Sequence, residues 1–488
     1  MHRRIACALV ATLTAASLAA HPSSAQATEA EDEAEPVLSL RVAPRMVAYA
    51  YGRGPKSRAD VPLLAGLRAG AEPVELWSTR ASYEEEIRTV WRTAGGDVQL
   101  PAGSMDSFGG LDRFFRLTIK NLSTGKTIRP WKDGCLNSYE SQRSRPDAPA
   151  KTPYPFGCAT NPYTLGSVQG IQAGWTSNVL GWQNPLFLRR GKYDVTVKVA
   201  SRYADFFGVD PAVLTGTTKV IVKKGEDGDG EGRPSARAPR PRAAAPGGPA
   251  TSDAEALEGP VPNLRSLPAF GISISPNGNN LRFAANVWNA GDSPLVVDGF
   301  RIDGEDTMDA YQYFFDGEGN QTGYQPVGQF HWDPKPTHEH WHFKDFASYT
   351  LLREDQTLVA RSKKEAFCLA NTDFVDATVP NAGWRTQNDD LGTACGEQDS
   401  QAIREVLSTG WGDTYLQFRA GQSFRLEGLP NGVYYIAVNA NPRGRLIETS
   451  TEDNTSLRKI ILSGQPGARR VEVPQVGIVE EPAGHFDY

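Results

Sequence analysis

Short runs of alternating apolar and polar residues, each closed by Gly, Pro or Asn, recur along the whole chain. FFRLTIKNL, YDVTVKVA and TKVIVKK are examples in the first half, and NLRFAANVWNAG, SPLVVDGF, FASYTLLRED and VYYIAVNA in the second. Successive side chains of a strand point to opposite faces, so this period predicts half-buried strands rather than helices. Abundant Gly and Pro, with Val, Tyr, Phe and Trp in short runs, agree with that reading. The expectation is an all-β protein of two β-sandwich-like domains. Residues 224–260, KGEDGDGEGRPSARAPRPRAAAPGGPATSDAEALEGP, hold almost no large apolar side chain. Such a stretch buries too little surface to offset ordering entropy, which predicts a disordered linker. It separates residues 36–223, a non-catalytic domain, from residues 261–465, with a polar tail over 466–488. The halves also echo each other: FFRLTIKNLSTGKTI resembles LRFAANVWNAGDSPL, and LRRGKYDVTVKVASR resembles LPNGVYYIAVNANPR. Either an old duplication or convergent strand composition accounts for that echo.

Length and charge narrow the picture. A chain of 488 residues suits two or three domains and sizeable cores. A net charge of −6 offers no basic face for nucleic acid. The N-terminus has a basic start, an apolar run from Ile5 to Ala20 and the small-residue site Ala25-Gln26-Ala27. That is the build of a signal peptide over residues 1–27, cleaved after Ala27, which predicts a secreted protein. The Arg3-Arg4 pair is only a weak twin-arginine signal. No later stretch reaches the about 18 apolar residues that span a bilayer. Outside the leader the cysteines are Cys135, Cys158, Cys368 and Cys395, two per domain, so Cys135–Cys158 and Cys368–Cys395 are the expected disulfides. Each closes a loop of about 25 residues, contributing roughly 3 kcal/mol by chain entropy.

The chemistry concentrates in one place. Of seven histidines, His2 and His21 lie in the leader, and His331, His338, His340 and His342 fall within twelve residues. On a strand, His338, His340 and His342 share one face, about 7 Å apart in succession. Pro334 and Pro336 upstream disfavour a helix. Three imidazoles on one face suit zinc, copper, iron or nickel, and three nitrogens with an open position are the usual form of a catalytic site. His331 is either a fourth ligand or a supporting residue. The first domain has no histidine after His21, so the chemistry belongs to residues 261–465.

THEHWHFKDFASYTLL, SKKEAFCLANTDF and STGWGDTY, in that order and with similar spacing, resemble the catalytic domain of the lysyl oxidase family. The likeness runs on through LPNGVYYIAVNANPRGRLIETSTEDNTS and covers about 200 residues, less than half of the chain. It implies a secreted oxidase that converts primary amines, lysyl side chains among them, to aldehydes with O2, releasing ammonia and hydrogen peroxide. It also implies Cu(II) on His338, His340 and His342. The cofactor implied is a lysine tyrosylquinone made from the chain's own Lys364 and Tyr415. A phenol near Cu(II) and O2 is oxidised to an ortho-quinone, and a neutral amine adds to its ring. The lysine must therefore be held close and deprotonated, a state that partial desolvation favours. The finished quinone takes up a substrate amine covalently, and a base removes the α-proton. Asp413 and His331 are the candidate bases. Lys363 adjoins Lys364; strand alternation would set Lys364, Ala366 and Cys368 on one face and Lys363 with Phe367 on the other.

The sequence also departs from the family. Only two cysteines stand in this domain, and FHWDPKPT replaces the family's stretch before the histidines, which alters the pocket and so the substrate. Glu448, Glu452, Asp453 and Asn454 offer oxygens suited to calcium, which some family members hold at this segment with help from the first strand near Asn263-Leu264. Two other readings compete. A metal-binding adhesion or scaffold protein could keep the fold without forming the quinone, but would need neither Lys364 nor Tyr415. A three-histidine zinc hydrolase would leave both motifs unexplained.

Overall fold

The structure, a computed structural model, describes residues 35–51, 57–225, 259–301, 305–316, 319–334, 339–362, 364, 366–385, 391–419 and 421–481. The expected leader, most of the expected linker, His338 and Lys363 lie outside the described residues. The chain is all-β: among the described residues the only α-helix is the six-residue Ser201–Phe206. No helix among them is long and apolar enough to cross a membrane.

In the N-terminal half the long alternating runs form a six-stranded sheet. Its order is Trp131–Gly134, Leu111–Asn121, Gly191–Val199, Thr215–Lys224 and Arg45–Ala50, with Thr127–Ile128 added alongside Leu111–Asn121. The last pair is parallel. Phe114, Phe115, Leu117, Val195, Val197 and Val220, none more than 1% exposed, fill the core beneath it. Cys135 and Cys158 are joined as expected, with Cα atoms 5.9 Å apart.

Three sheets build the C-terminal half. One runs Ala366–Phe367, His340–Lys344, Gln321–Asp333, Thr307–Phe315, Leu295–Arg301, Ala402–Leu407. A second runs Leu264–Ser266, Asn280–Asn289, Trp411–Tyr415, Asp373–Phe374. The third runs Leu358–Arg361, Ala347–Arg353, Gly432–Ala440, Thr455–Gln465, Ala468–Glu472, so the chain beyond Gly464 opens with a strand. Phe283, Phe330, Trp341, Phe343, Phe346 and Phe367, none more than 1% exposed, interlock between them. The internal echo is one of strand composition and not of topology. Leu111–Asn121 pairs directly with Gly191–Val199, whereas their counterparts Asn280–Asn289 and Gly432–Ala440 lie in different sheets.

The halves share part of their cores. Tyr163 packs with Leu267, Phe270, Trp288, Val375 and Val479, and Tyr154 and Val168 pack with Phe374 and Ala377. Backbone bonds cross as well: Leu165 N–H donates to Val375 O at 2.7 Å, and Ala377 N–H to Gly166 O at 3.0 Å. Gly166 is required there, since a Cβ at that position would collide with the Asp376 carboxylate. Tyr163 hydroxyl donates to Glu481 at 2.8 Å, and Arg385 Nε to Tyr154 O at 2.6 Å.

Candidate active site

The histidine strand forms as its spacing requires, over His340–Lys344. Its register against Gln321–Asp333 is regular: Phe330 opposes Phe343, His331 opposes His342, Trp332 opposes Trp341 and Asp333 opposes His340. Alternation therefore sorts the side chains into two faces. One holds Phe330, Trp332, Trp341 and Phe343 and faces the core; the other holds His331, Asp333, His340 and His342. The His340 and His342 Nε2 atoms approach to 2.9 Å with their rings nearly perpendicular. That spacing is an imidazole–imidazole hydrogen bond as it stands, and two nitrogens each roughly 2.0 Å from one ion also lie about 3 Å apart, so the pair can converge on one metal. Asp333 Oδ2 stands 3.8 Å from His342 Nδ1, where a carboxylate can orient the ring. Replacing Asp333 with alanine is expected to weaken binding of any metal held by these imidazoles, about 10-fold or more. Competition titration against a chelator measures this, and unchanged affinity would remove Asp333 from the site.

Phe343 opposes Phe367 in the two-residue strand Ala366–Phe367 that edges this sheet. Lys364 precedes that strand and Tyr415 ends Trp411–Tyr415 in the neighbouring sheet. The fold brings the two together. Lys364, 6% exposed, sets its Nζ 4.3 Å from the centre of the Tyr415 ring and 5.2 Å from that of Phe367. Carrying alternation back from Phe367 would have set Lys364 on the other face. The strand stops at Ala366, so alternation does not extend that far. Gly421, at φ +87°, makes room for the Lys364 backbone: a Cβ there would stand 2.9 Å from the Lys364 backbone nitrogen. Tyr415 packs edge-to-face on Phe367 at 5.0 Å, so the pair lies on the aromatic side of the edge strand and the imidazoles on the other. Its hydroxyl donates to Cys368 O and accepts from Cys368 N–H, both at 3.1 Å.

Cys368 is bonded to Cys395 as expected, with Cα atoms 5.9 Å apart. Cys395 O in turn accepts from Trp341 N–H at 3.0 Å, so the disulfide ties the tyrosine's anchor to the histidine strand. Ligand-type atoms of Cys368, Cys395 and Glu405 lie within 4.8 Å of one another. The sulfurs are bonded to each other, however, and offer no thiolate to a metal.

Acids surround the pair. Asp413 is buried, and its carboxyl is pushed well above the usual range by burial, against the pull of Lys364. Its Oδ2 has no hydrogen-bond partner among the described residues. Burial first, then the charges of Asp413 and Glu405, push the Tyr415 phenol up. Of the two candidate bases, Asp413 thus sits beside Tyr415, and His331 lies on the imidazole face. Glu405 and Asp373 were missed by sequence reasoning. Glu405 is fully buried, accepts from Leu369 N–H at 2.9 Å, and is raised well above the carboxylate range by burial. The folded chain therefore holds this proton to higher pH than the unfolded one, and stability falls as pH rises from about 4.3 through the folded value. Glu405→Gln keeps the acceptor for Leu369 and removes that titration. Thermal melts should show the variant gaining on the parent as pH rises across the window; parallel profiles would contradict the assignment.

The acidic segment is also in place. Glu448 accepts from Leu264 N–H at 2.9 Å, from Asn441 at 2.7 Å and from Asn454 at 2.8 Å. Asp453 takes Asn263 at 3.1 Å and Arg265 at 3.0 Å. These bonds stitch the first strand to this turn. Among Glu448, Asp453 and Asn454 the unpartnered buried oxygens are Asp453 Oδ1 and Asn454 Oδ1. Calcium takes six to eight oxygens, and as it stands this set is a hydrogen-bonded clasp with two oxygens to spare.

Two converging imidazoles on one side of the edge strand, and a buried amine laid on a phenol on the other, are parts that an amine oxidase domain would use. Comparison with known families agrees: residues 317–469 match the family model described as Lysyl oxidase, and the C-terminal half carries a domain of that family. That span includes the histidine cluster, Lys364, Tyr415 and the acidic clasp. A search of curated proteins found no match.

Proposed function

We propose that the chain is a secreted primary-amine oxidase, dependent on copper and on a lysine tyrosylquinone formed from Lys364 and Tyr415. The observation that carries this reading is the Lys364 nitrogen held 4.3 Å from the centre of the Tyr415 ring, a contact that a metal-binding scaffold would not need. His340 and His342, with His338, would hold the copper, and Asp333 would steady His342. Copper and the quinone, when in place, would supply the two-electron oxidising chemistry, with O2 as final oxidant. The remaining work falls to the chain. The Cys368 backbone fixes the Tyr415 oxygen from both sides. Phe367 and Gly421 shape the slot that keeps Lys364 on the ring. Asp413, with an open Oδ2 in a water-poor setting, would take the substrate's α-proton.

Peptide mapping by mass spectrometry tests the proposal on protein loaded with Cu(II) in air. The expected result is a covalently joined pair of peptides carrying Lys364 and Tyr415. Unmodified peptides after verified copper loading would overturn it.

A further inference from the structure

A cleft of about 880 Å3 opens where the halves meet. Tyr139 and Phe156 stand on its N-terminal wall, and Asp373, Phe374, Trp384 and Trp411 on its C-terminal wall. Tyr139 and Phe156 are stacked, with ring centres 5.0 Å apart and planes within 6°. Phe374 and Trp411 rings meet at 3.8 Å. Among the described lining residues Asp373 is the only side chain that carries a full charge when ionised, and burial pushes its carboxyl up. An aromatic cleft whose one charge is a carboxylate complements a cation on a flat apolar stem. Rings stack on rings and aromatic faces attract an ammonium, as the Arg385 guanidinium 4.1 Å over the Phe156 ring already does on one side of this wall.

The cleft also adjoins the strand that carries Tyr415. Its floor strand, Asp373–Phe374, is bonded to Trp411–Tyr415, with Asp373 opposite Gly412 and Phe374 opposite Trp411. Trp411, Asp413 and Tyr415 are spaced by two along their strand and share a face. The Asp373 carboxylate accepts from Thr414 Oγ1 at 2.6 Å, on the opposite face of that strand from Asp413 and Tyr415, and from Asn161 of the N-terminal half at 3.1 Å. Whatever rests on this floor lies one strand away from the amine–phenol pair.

We infer that this cleft is the substrate-binding site, and that its N-terminal wall, Tyr139 with Phe156, selects primary amines on an aromatic stem over short alkylamines. The inference rests on the amine-oxidase reading for the reaction but not for the binding. The N-terminal half is then part of the substrate site as well as a support for the fold.

The test measures binding without turnover. N,N-dimethyltyramine keeps the cation and ring but, as a tertiary amine, cannot condense with a carbonyl. It is titrated calorimetrically into the full chain as isolated, with N,N-dimethylpropylamine as the short comparison. The expected result is at least tenfold tighter binding of the aromatic amine. Tyr139→Ala and Phe156→Ala should each weaken it about tenfold and leave the short amine unchanged. Tyr139 is 62% exposed, so its removal leaves the fold intact, as a melting curve checks. Equal binding of the two amines, or binding indifferent to both substitutions, overturns the inference. Selective binding with no Lys364–Tyr415 crosslink would instead sink the oxidase reading and leave the cleft an amine site.

Discussion

Tyr415→Phe protein should fold, bind copper and oxidise no amine. The ring stays in its place against Phe367 and under Lys364, because those contacts use carbon atoms alone. What goes is the oxygen from which a quinone would be built, so turnover should drop below about one-thousandth of the parent as the covalent route disappears. The hydroxyl also serves both backbone groups of Cys368. Leaving these without a partner should cost about 1–3 kcal/mol, visible as a lower melting temperature in otherwise native protein. Amine-dependent peroxide release, read beside copper content and melting, separates the effects. Residual activity above one-hundredth would mean that another group carries the reaction.

The second large effect concerns Cys368 and Cys395. Replacing both with alanine removes a 27-residue cross-link, for which chain entropy alone predicts a loss of about 3 kcal/mol. The loss should not stay local. Cys368 anchors the Tyr415 hydroxyl, and Cys395 O holds Trp341 in the middle of the histidine strand. The variant should therefore lose copper affinity and crosslink yield along with stability. Denaturant unfolding and metal titration on the same preparation decide this. A loss of stability with unchanged copper affinity would show the disulfide to be a staple only.

Much of this was legible in the chain. Alternating runs foretold an all-β fold, and the spacing of His340 and His342 foretold their shared face, because both follow from the period of a strand; His338, the third expected ligand, lies outside the described residues. Lys364 and Tyr415 were legible only through resemblance, since a lysine before a two-residue strand and a tyrosine from another sheet meet by tertiary packing alone. Glu405 was hidden for a different reason. AIREVL reads as a strand with a solvated charged pair, and Arg404 does reach Asp298 at 2.7 Å on the outer side. Its neighbour turns inward to a backbone N–H that lies far away in sequence. Asp373 and the cleft were hidden likewise, because Asn161 and half of the cleft's lining come from the N-terminal domain.

That shared boundary has a consequence for how such a protein can be taken apart. Tyr163 is fully buried against Phe270, Val375 and Val479, and Val168 lies beside Phe374 and Ala377. Excision of the C-terminal half at the 226–258 stretch would bare these apolar surfaces and unseat the floor of the cleft. The halves are thus poor modules for shuffling. A lineage that exchanged the first for another would have to rebuild the seam residue by residue, and drift in Tyr163 or Gly166 should be answered by change in Val375 or Asp376.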